Sequence, residues 1–415
     1  MTLYLTNTLT HKKEAFKSRE PQKVKLFTCG PSVYRRPHVG NYATFLFEDL
    51  LHRYLEYKGY RVQRVINFTD IEDKAVAEAN QKQVSLTELT QPVADLFRRE
   101  AGLLEIKLPR EIPRSTTHVE EAVKLIQKLL KQGYAYWHEK DVFFDPLKFE
   151  GFGKLFNLDM RRWPKKRRRF RKDTYPGQRW NLGDFILWHG YRPTRDGSIC
   201  WDTSLGKGRP AWNIQDPAII RKNLGWHIDI ACGGVDNLYR HHDYTIAVME
   251  SLSHGLLAPY WLHGEHVLVG GRKMSKTKGN IFYIEDIMER GYTAQDIRFY
   301  FIDGHYRKKI NLTFNRLQKS VGRLNRIKNS IQELCNTPFP EGRPPAAPGD
   351  PAGDLIRGFE NHMNNDLDVN GAFGDLQIRL NRFQDFHRRQ GLRKQDQKAI
   401  RQALIQMDQV LRVLF

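Results

Sequence analysis

Apolar residues change their period several times along the chain, and the changes mark out its elements. Val24-Lys-Leu-Phe27 is a short apolar run of strand type, and after it Ala43, Phe47, Leu50, Tyr54 and Tyr57 recur at helical spacing. Gly59 stands where that helix should stop, and Arg61-Val-Gln-Arg-Val-Ile66 resumes a strand pattern. Strand, helix, strand predicts a parallel α/β sheet. Ser85 to Gln132 reads as helical, with Thr117-His-Val-Glu120 as a capping box ahead of Val123, Ile126, Leu129 and Leu130. Gly133 to Arg209 reads as short strands and loops, and 281–335 as a strand and helices. A stretch rich in Pro, Gly and Ala from Asn336 to Asp354 is a linker or long loop, and helices resume through Leu355–Phe386 and Gln395–Leu414.

Two loops carry the candidate chemistry. Thr28 to Asn41 joins the first strand to its helix, where free backbone N–H groups and the helix dipole favour a bound anion. His38 and Asn41 bracket Gly40, which lets backbone and ligand approach closely. More than two hundred residues later, Gly271 to Asn280 holds Lys273, Lys276 and Lys278 between glycines. Such a loop suits the charge that develops as pyrophosphate leaves. The plainer readings are a helix cap for His38 and a solvated basic turn for the lysines. Asn67 to Lys74 leaves the second strand at its carboxyl end, so Thr69, Asp70 and Asp73 are expected to face the same pocket, with a helix cap as the other reading of Asp70.

The 415 residues allow two or three domains, and 67 Lys and Arg against 47 Asp and Glu give a net charge of +20, which points to a polyanionic partner. Nine basic residues crowd into Arg161–Lys172. Arg167, Arg168, Arg169 and Arg171 are candidates for contact with RNA phosphates, and Trp163 and Phe170 for stacking on bases; a solvated loop is the alternative. Four scattered cysteines argue against a disulfide framework and for a reducing cytoplasm. Neither a signal segment nor an apolar run of membrane-spanning length is evident.

The pair His38-Val-Gly-Asn41 and Lys273-Met-Ser-Lys276 resembles the signature of class I aminoacyl-tRNA synthetases. Cys29-Gly-Pro-Ser-Val-Tyr34, Asn67–Lys74, Gly208-Arg-Pro-Ala-Trp212, Gly233-Gly-Val-Asp236 with His241-His242, and Asp296–Phe301 resemble cysteinyl-tRNA synthetases more narrowly, from about residue 3 to about residue 390. The resemblance implies a Rossmann-like parallel-sheet catalytic domain in two halves, 1–84 and 210–300. An inserted subdomain, 85–209, separates them, and a helical domain, 301–415, follows. It implies activation of an amino acid with ATP and Mg2+ and transfer to tRNA or a related RNA. A ligase acting on a small amine and a non-catalytic RNA-binding paralogue are the alternatives.

By the same resemblance, ATP would meet His38, Gly40, Asn41, Gly233, Gly234, Asp236, Lys273, Ser275 and Lys276. Of these, His38, Asn41, Lys273 and Lys276 would serve catalysis. The amino acid would meet Cys29, Thr69, Trp212, Asn213, Asp216, His241 and Thr245. The family's zinc ligands are two Cys, a His and a Glu. Here Cys29 and His241 match, while Asp216 stands for the second Cys and Thr245 for the Glu. A Zn2+ site of Cys29, Asp216 and His241, one of Cys29, Cys232 and His241, and a metal-free pocket all remain open. No sequence remains for the small anticodon-contacting domain that usually follows in the family.

Overall fold

The computed structural model describes residues 1–159, 183–274, 279–336 and 349–415. A hairpin of β1 (Tyr4–Asn7) and β2 (Lys12–Ala15) precedes β3 (Lys23–Thr28), α1 (Val39–Tyr57) and β4 (Arg61–Ile66). Helices α2 (Asp73–Lys82), α3 (Leu86–Leu103) and α4 (Val119–Lys131) follow. Then come β5 (Ala135–His138), β6 (Asp141–Phe144), β7 (Phe185–Gly190), the single turn α5 (Pro193–Asp196), β8 (Trp201–Thr203) and β9 (Gly206–Pro210). The chain returns through α6 (Trp212–Asn223), β10 (Ile230–Gly234), α7 (Asp243–Ser253) and β11 (Tyr260–Gly264). Beyond lie β12 (Val267–Val269), β13 (Arg272–Lys273), α8 (Ile284–Met288), α9 (Ala294–Asp303), β14 (Ile310–Leu312) and the helices α10 (Phe314–Asn336), α11 (Pro351–Met363), α12 (Val369–Gln390) and α13 (Lys394–Leu411).

The expected parallel sheet is present, in the order β11-β10-β3-β4. The chain leaves β3 toward β4 on one side and returns as β10 on the other. The crevice beyond the carboxyl ends of β3 and β10 is therefore the switch point where ligands collect in such sheets. Five antiparallel strands, β5-β6-β7-β9-β8, form a separate sheet between the two halves. Its core includes Ile214 and Ala218 of α6 and Ala247 and Val248 of α7, so it is packed directly on the second half. Another core runs without a break from Leu26 and Leu51 through Phe299 to Leu376 and Leu404, joining sheet and C-terminal helices. No helix among the described residues is long and apolar enough to cross a membrane.

Two local expectations are corrected and a third is made finer. Thr117–Glu120 is not a capping box: Ser115–His118 is a 3-10 turn, Thr117 Oγ1 donates to the Arg114 carbonyl at 2.9 Å, and α4 starts only at Val119. The helical stretch expected over Leu355–Phe386 is two helices, α11 and α12, parted where Asp366 and Leu367 take φ of 64° and 57°. Asp366 is held there as a buried acceptor for Thr6 N, Thr6 Oγ1, Tyr306 Oη and Arg307 Nε, all within 2.8 Å. Asp70 caps no helix. It accepts from Thr116 N at 2.9 Å and faces Arg114 at 3.5 Å, fastening the loop after β4 to the turn before α4.

Candidate active site

The loop after β3 is shaped by its neighbours. Gly30 N donates to Asn67 Oδ1 at 2.9 Å, and a Cβ on Gly30 would lie 1.7 Å from the Asn67 carbonyl oxygen, so this close crossing of two strand ends requires glycine. Glu100 of α3 takes Arg36 at 2.6 Å and Tyr42 Oη at 2.7 Å, clamping loop and helix together. His38 is the N-cap of α1, and its N–H donates to Asn41 Oδ1 at 2.9 Å. Its Nδ1 is buried without a partner among the described residues, and burial holds its pKa below the usual histidine value. A Cβ on Gly40 would come within 2.5 Å of Met274 Cε, so the two signature segments, far apart in sequence, touch here.

A cavity of about 300 Å³ opens at the switch point, lined by Cys29, Thr69 and Trp212 and also by His38, Asn41, Gly234 and Asp236. The residues expected to meet the amino acid and those expected to meet the nucleotide thus share one space. A larger cavity, about 720 Å³, lies by the opposite strand ends beside Lys23, Lys25 and Arg61 and contains none of the signature residues. Gly233 is needed sterically, since a Cβ would meet Cε1 of the buried His242 ring at 2.6 Å, whereas a Cβ on Gly234 would displace only the Asp236 carboxylate, from 2.5 Å.

Below the cavity lies a buried cluster. Cys29 Sγ is 3.6 Å from Asp216 Oδ2 and 3.5 Å from His241 Nε2, and those two atoms are 2.7 Å apart. Asp216 sits on the first turns of α6 and takes a second bond, from Asn67 Nδ2 at 2.9 Å. The Trp212 ring, which also lines the cavity, stacks on His241 with centroids 4.1 Å apart. His241 is brought in by an irregular turn in which Arg240 takes φ of 79°, a sparsely populated conformation for a non-glycine residue. Burial, reinforced by the Asp216 charge, pushes the Cys29 thiol well above its ordinary pKa.

The site residues do not all converge. Asn213 donates to the Ile186 carbonyl at 3.0 Å, so its amide secures α6 to β7 instead of facing the cavity. Thr245 Oγ1 donates to the His241 carbonyl at 3.0 Å, the local bond of a helical threonine. Asp73 pairs with Arg209 at 2.7 Å, away from the cavity. The Cys232 side chain packs on the opposite face of the sheet from Cys29, within the larger core, so the Cys29, Cys232, His241 grouping is corrected. The neighbour that does approach is His242: one ligand atom each from Cys29, His241 and His242 lies within 4.8 Å of the others. His242 Nδ1 bonds His263 Nε2 at 2.8 Å, and His242 Nε2 has no protein partner. Sequence reading placed His242 and Asn67 in its motifs but gave neither a role in the site; the His-His doublet and the position of Asn67 at a strand end were the available signals. Lys273 is exposed on β13, and Asn280 Nδ2 donates to its carbonyl at 3.2 Å. Ser275, Lys276 and the run containing Arg167, Arg168, Arg169 and Arg171 lie outside the described residues.

Residues 15–322 match the catalytic-domain family of class I (C) tRNA synthetases. The chain belongs to that family. It is an aminoacyl-tRNA synthetase, a ligase. It is 37% identical to the cysteine–tRNA ligase of Chlamydia muridarum, an alignment covering all of this chain and 88% of the relative. It is 40% identical to the cysteine–tRNA ligase of Chlamydia felis, over 90% of this chain and 78% of the relative. The fold is also that of the methionyl-tRNA synthetase of Mycobacterium tuberculosis in complex with methionyl-adenylate. There the TM-score is 0.65 at 14% identity, with 94% of this chain and 90% of the other covered.

Proposed function

We propose that this synthetase activates cysteine with ATP and passes it to the 3′ end of a tRNA. The observation that carries the reading is the convergence of Cys29, Asp216 and His241 within 3.6 Å of one another beside the cavity. A thiol, a carboxylate and an imidazole are three donors suited to zinc, and three protein ligands leave a fourth position open, as catalytic zinc sites do. His242, with a buried Nε2 lacking a protein partner, offers a further nitrogen. The residues therefore fit a bound Zn2+, which when present would favour a substrate thiolate over the hydroxyl of serine.

The remaining steps use the chain's own groups. The amino-acid carboxylate attacks the α-phosphate of ATP, and pyrophosphate leaves. This in-line displacement needs positioning and charge neutralisation and no covalent enzyme intermediate. His38 and the positive end of the α1 dipole hold phosphates; Gly233 and Gly234 admit the adenosine, and Asp236 accepts from ribose hydroxyls. Lys273 and Lys276 stabilise the transition state, with Mg2+ accompanying ATP. A hydroxyl of the terminal ribose then attacks the acyl carbonyl, and AMP leaves. Thr69 and Trp212 line the amino-acid end.

Pyrophosphate exchange with each amino acid in turn tests the reading. Cysteine should support exchange and serine should not; exchange with another amino acid alone would refute the cysteine assignment.

A further inference from the structure

The cavity of about 720 Å³ at the amino ends of the strands is larger than the one at the switch point and falls within the roughly 300–1,000 Å³ usual for small-molecule sites. Four cations line it, Arg19, Lys23, Lys25 and Arg61, against the carboxylates of Glu20 and Asp229. Most of this charge is already committed. Asp229 accepts from Arg19 N at 2.6 Å through one oxygen and from Lys25 N at 2.7 Å through the other. Glu20 pairs with Lys23 at 3.0 Å, and the Arg19 guanidinium donates to the Ile228 and Leu256 carbonyls. Lys25 and Arg61 are left over: among the described residues neither side chain has a hydrogen bond or an ion pair.

The sheet brings these two together. Lys23 stands opposite Arg61 and Lys25 opposite Gln63 in the parallel register, so with alternation along each strand Lys25 and Arg61 belong to the same face. Trp226, between α6 and β10, also lines the cavity. It is half-buried and packed against two apolar cores, which fixes its ring. The Arg221 guanidinium lies 4.5 Å and the Lys128 ammonium 5.5 Å from the ring centroid, so the surroundings of the ring are positive as well.

Two uncommitted cations beside a fixed aromatic ring match an anion that carries a flat ring of its own. A phosphate monoester bears about −1.5 to −2 charges near neutral pH, which the two cations balance, and an aromatic face stacks a base without reading its edge. Cations alone would take inorganic phosphate as readily; the ring is what selects a nucleotide.

We propose that this cavity binds a free nucleoside monophosphate, its phosphate on Lys25 and Arg61 and its base against Trp226. The site is separate from the nucleotide end of the active site, which lies beyond the opposite ends of the same strands, and it does not depend on which amino acid is activated.

The test is equilibrium dialysis with AMP. Lys25→Gln combined with Arg61→Gln should lower the affinity of one class of site by about tenfold or more, and His38→Ala should leave that class intact. Trp226→Leu should weaken AMP by about tenfold and inorganic phosphate not at all. Far-UV circular dichroism and pyrophosphate exchange of the Lys25, Arg61 double variant should match the unaltered protein. AMP binding unchanged in that double variant would overturn the inference. Inorganic phosphate competing as tightly as AMP would overturn it too, since the ring would then have no part. Displacement of AMP by a short RNA at far lower concentration would do the same, reassigning the cavity to a nucleic-acid strand.

Discussion

The two ends of the cavity are built differently. At the nucleotide end the shaping is by a helix start and by glycines that leave room for neighbouring side chains: the first turn of α1, Gly40 beside Met274, and Gly233 and Gly234 beside His242 and Asp236. At the amino-acid end it is by buried side chains bonded to one another, from Asn67 to Asp216 to His241 and Cys29. Positions where a side chain would crowd a packed neighbour tolerate few residue types, so their motifs stay in recognisable form. A cluster of side chains can exchange one donor for another while the surrounding strands and helices stay in place. Asp216 standing for a cysteine is such an exchange, and the neighbouring Asn67 satisfies the second carboxylate oxygen.

The largest expected effect falls at the nucleotide end. His38→Ala or Lys273→Ala should slow pyrophosphate exchange by about a hundredfold or more, the order expected on losing a transition-state donor, with far-UV circular dichroism unchanged. His38 adds a pH test. Its folded pKa lies below the unfolded value, so between the two the unfolded chain binds more protons, and stability from this group is lost as pH falls from the ordinary histidine range. The His38-dependent acid limb of the exchange profile should therefore lie below pH 6.5, the unperturbed value, and should vanish in His38→Asn.

An intermediate effect belongs to the amino-acid end. Asp216→Asn keeps the shape but removes an anionic donor, so zinc affinity measured by chelator competition should drop by about tenfold or more while ATP binding persists. Equal loss of ATP binding would break the separation between the two ends. The smallest effect is expected from Thr245→Val. Among the described residues its hydroxyl bonds only the His241 carbonyl, so stability should fall by about 1 kcal/mol and exchange should stay within about twofold. A severe loss of exchange would return Thr245 to the substrate pocket.

The same contrast governs what was legible in the sequence. The strand, the loop through His38-Val-Gly-Asn41, the helix and the second strand were readable because each follows from local periodicity and the chemistry of a helix start. Cys29, Asp216 and His241 were readable as a group only through family resemblance, since they are 187 and 25 residues apart in sequence. Asn213 and Thr245 misled for the opposite reason: their polar atoms are spent on nearby carbonyls, which sequence position does not disclose. The position of the break at Asp366 was not legible, because its partner Thr6 lies 360 residues away. The Thr117 capping box failed because Asp70 draws the Thr116 N–H into a different turn.

The central claim is that the buried cluster holds a metal that recognises the substrate thiol. Cobalt substitution tests it most directly, because thiolate-to-cobalt absorption reports sulfur bound to the ion. The cobalt-loaded protein should show this absorption through Cys29, gain intensity on addition of cysteine but not serine, and lose the protein's own contribution in Cys29→Ser. A cobalt-loaded protein without thiolate absorption, or one whose spectrum ignores cysteine, would contradict the account.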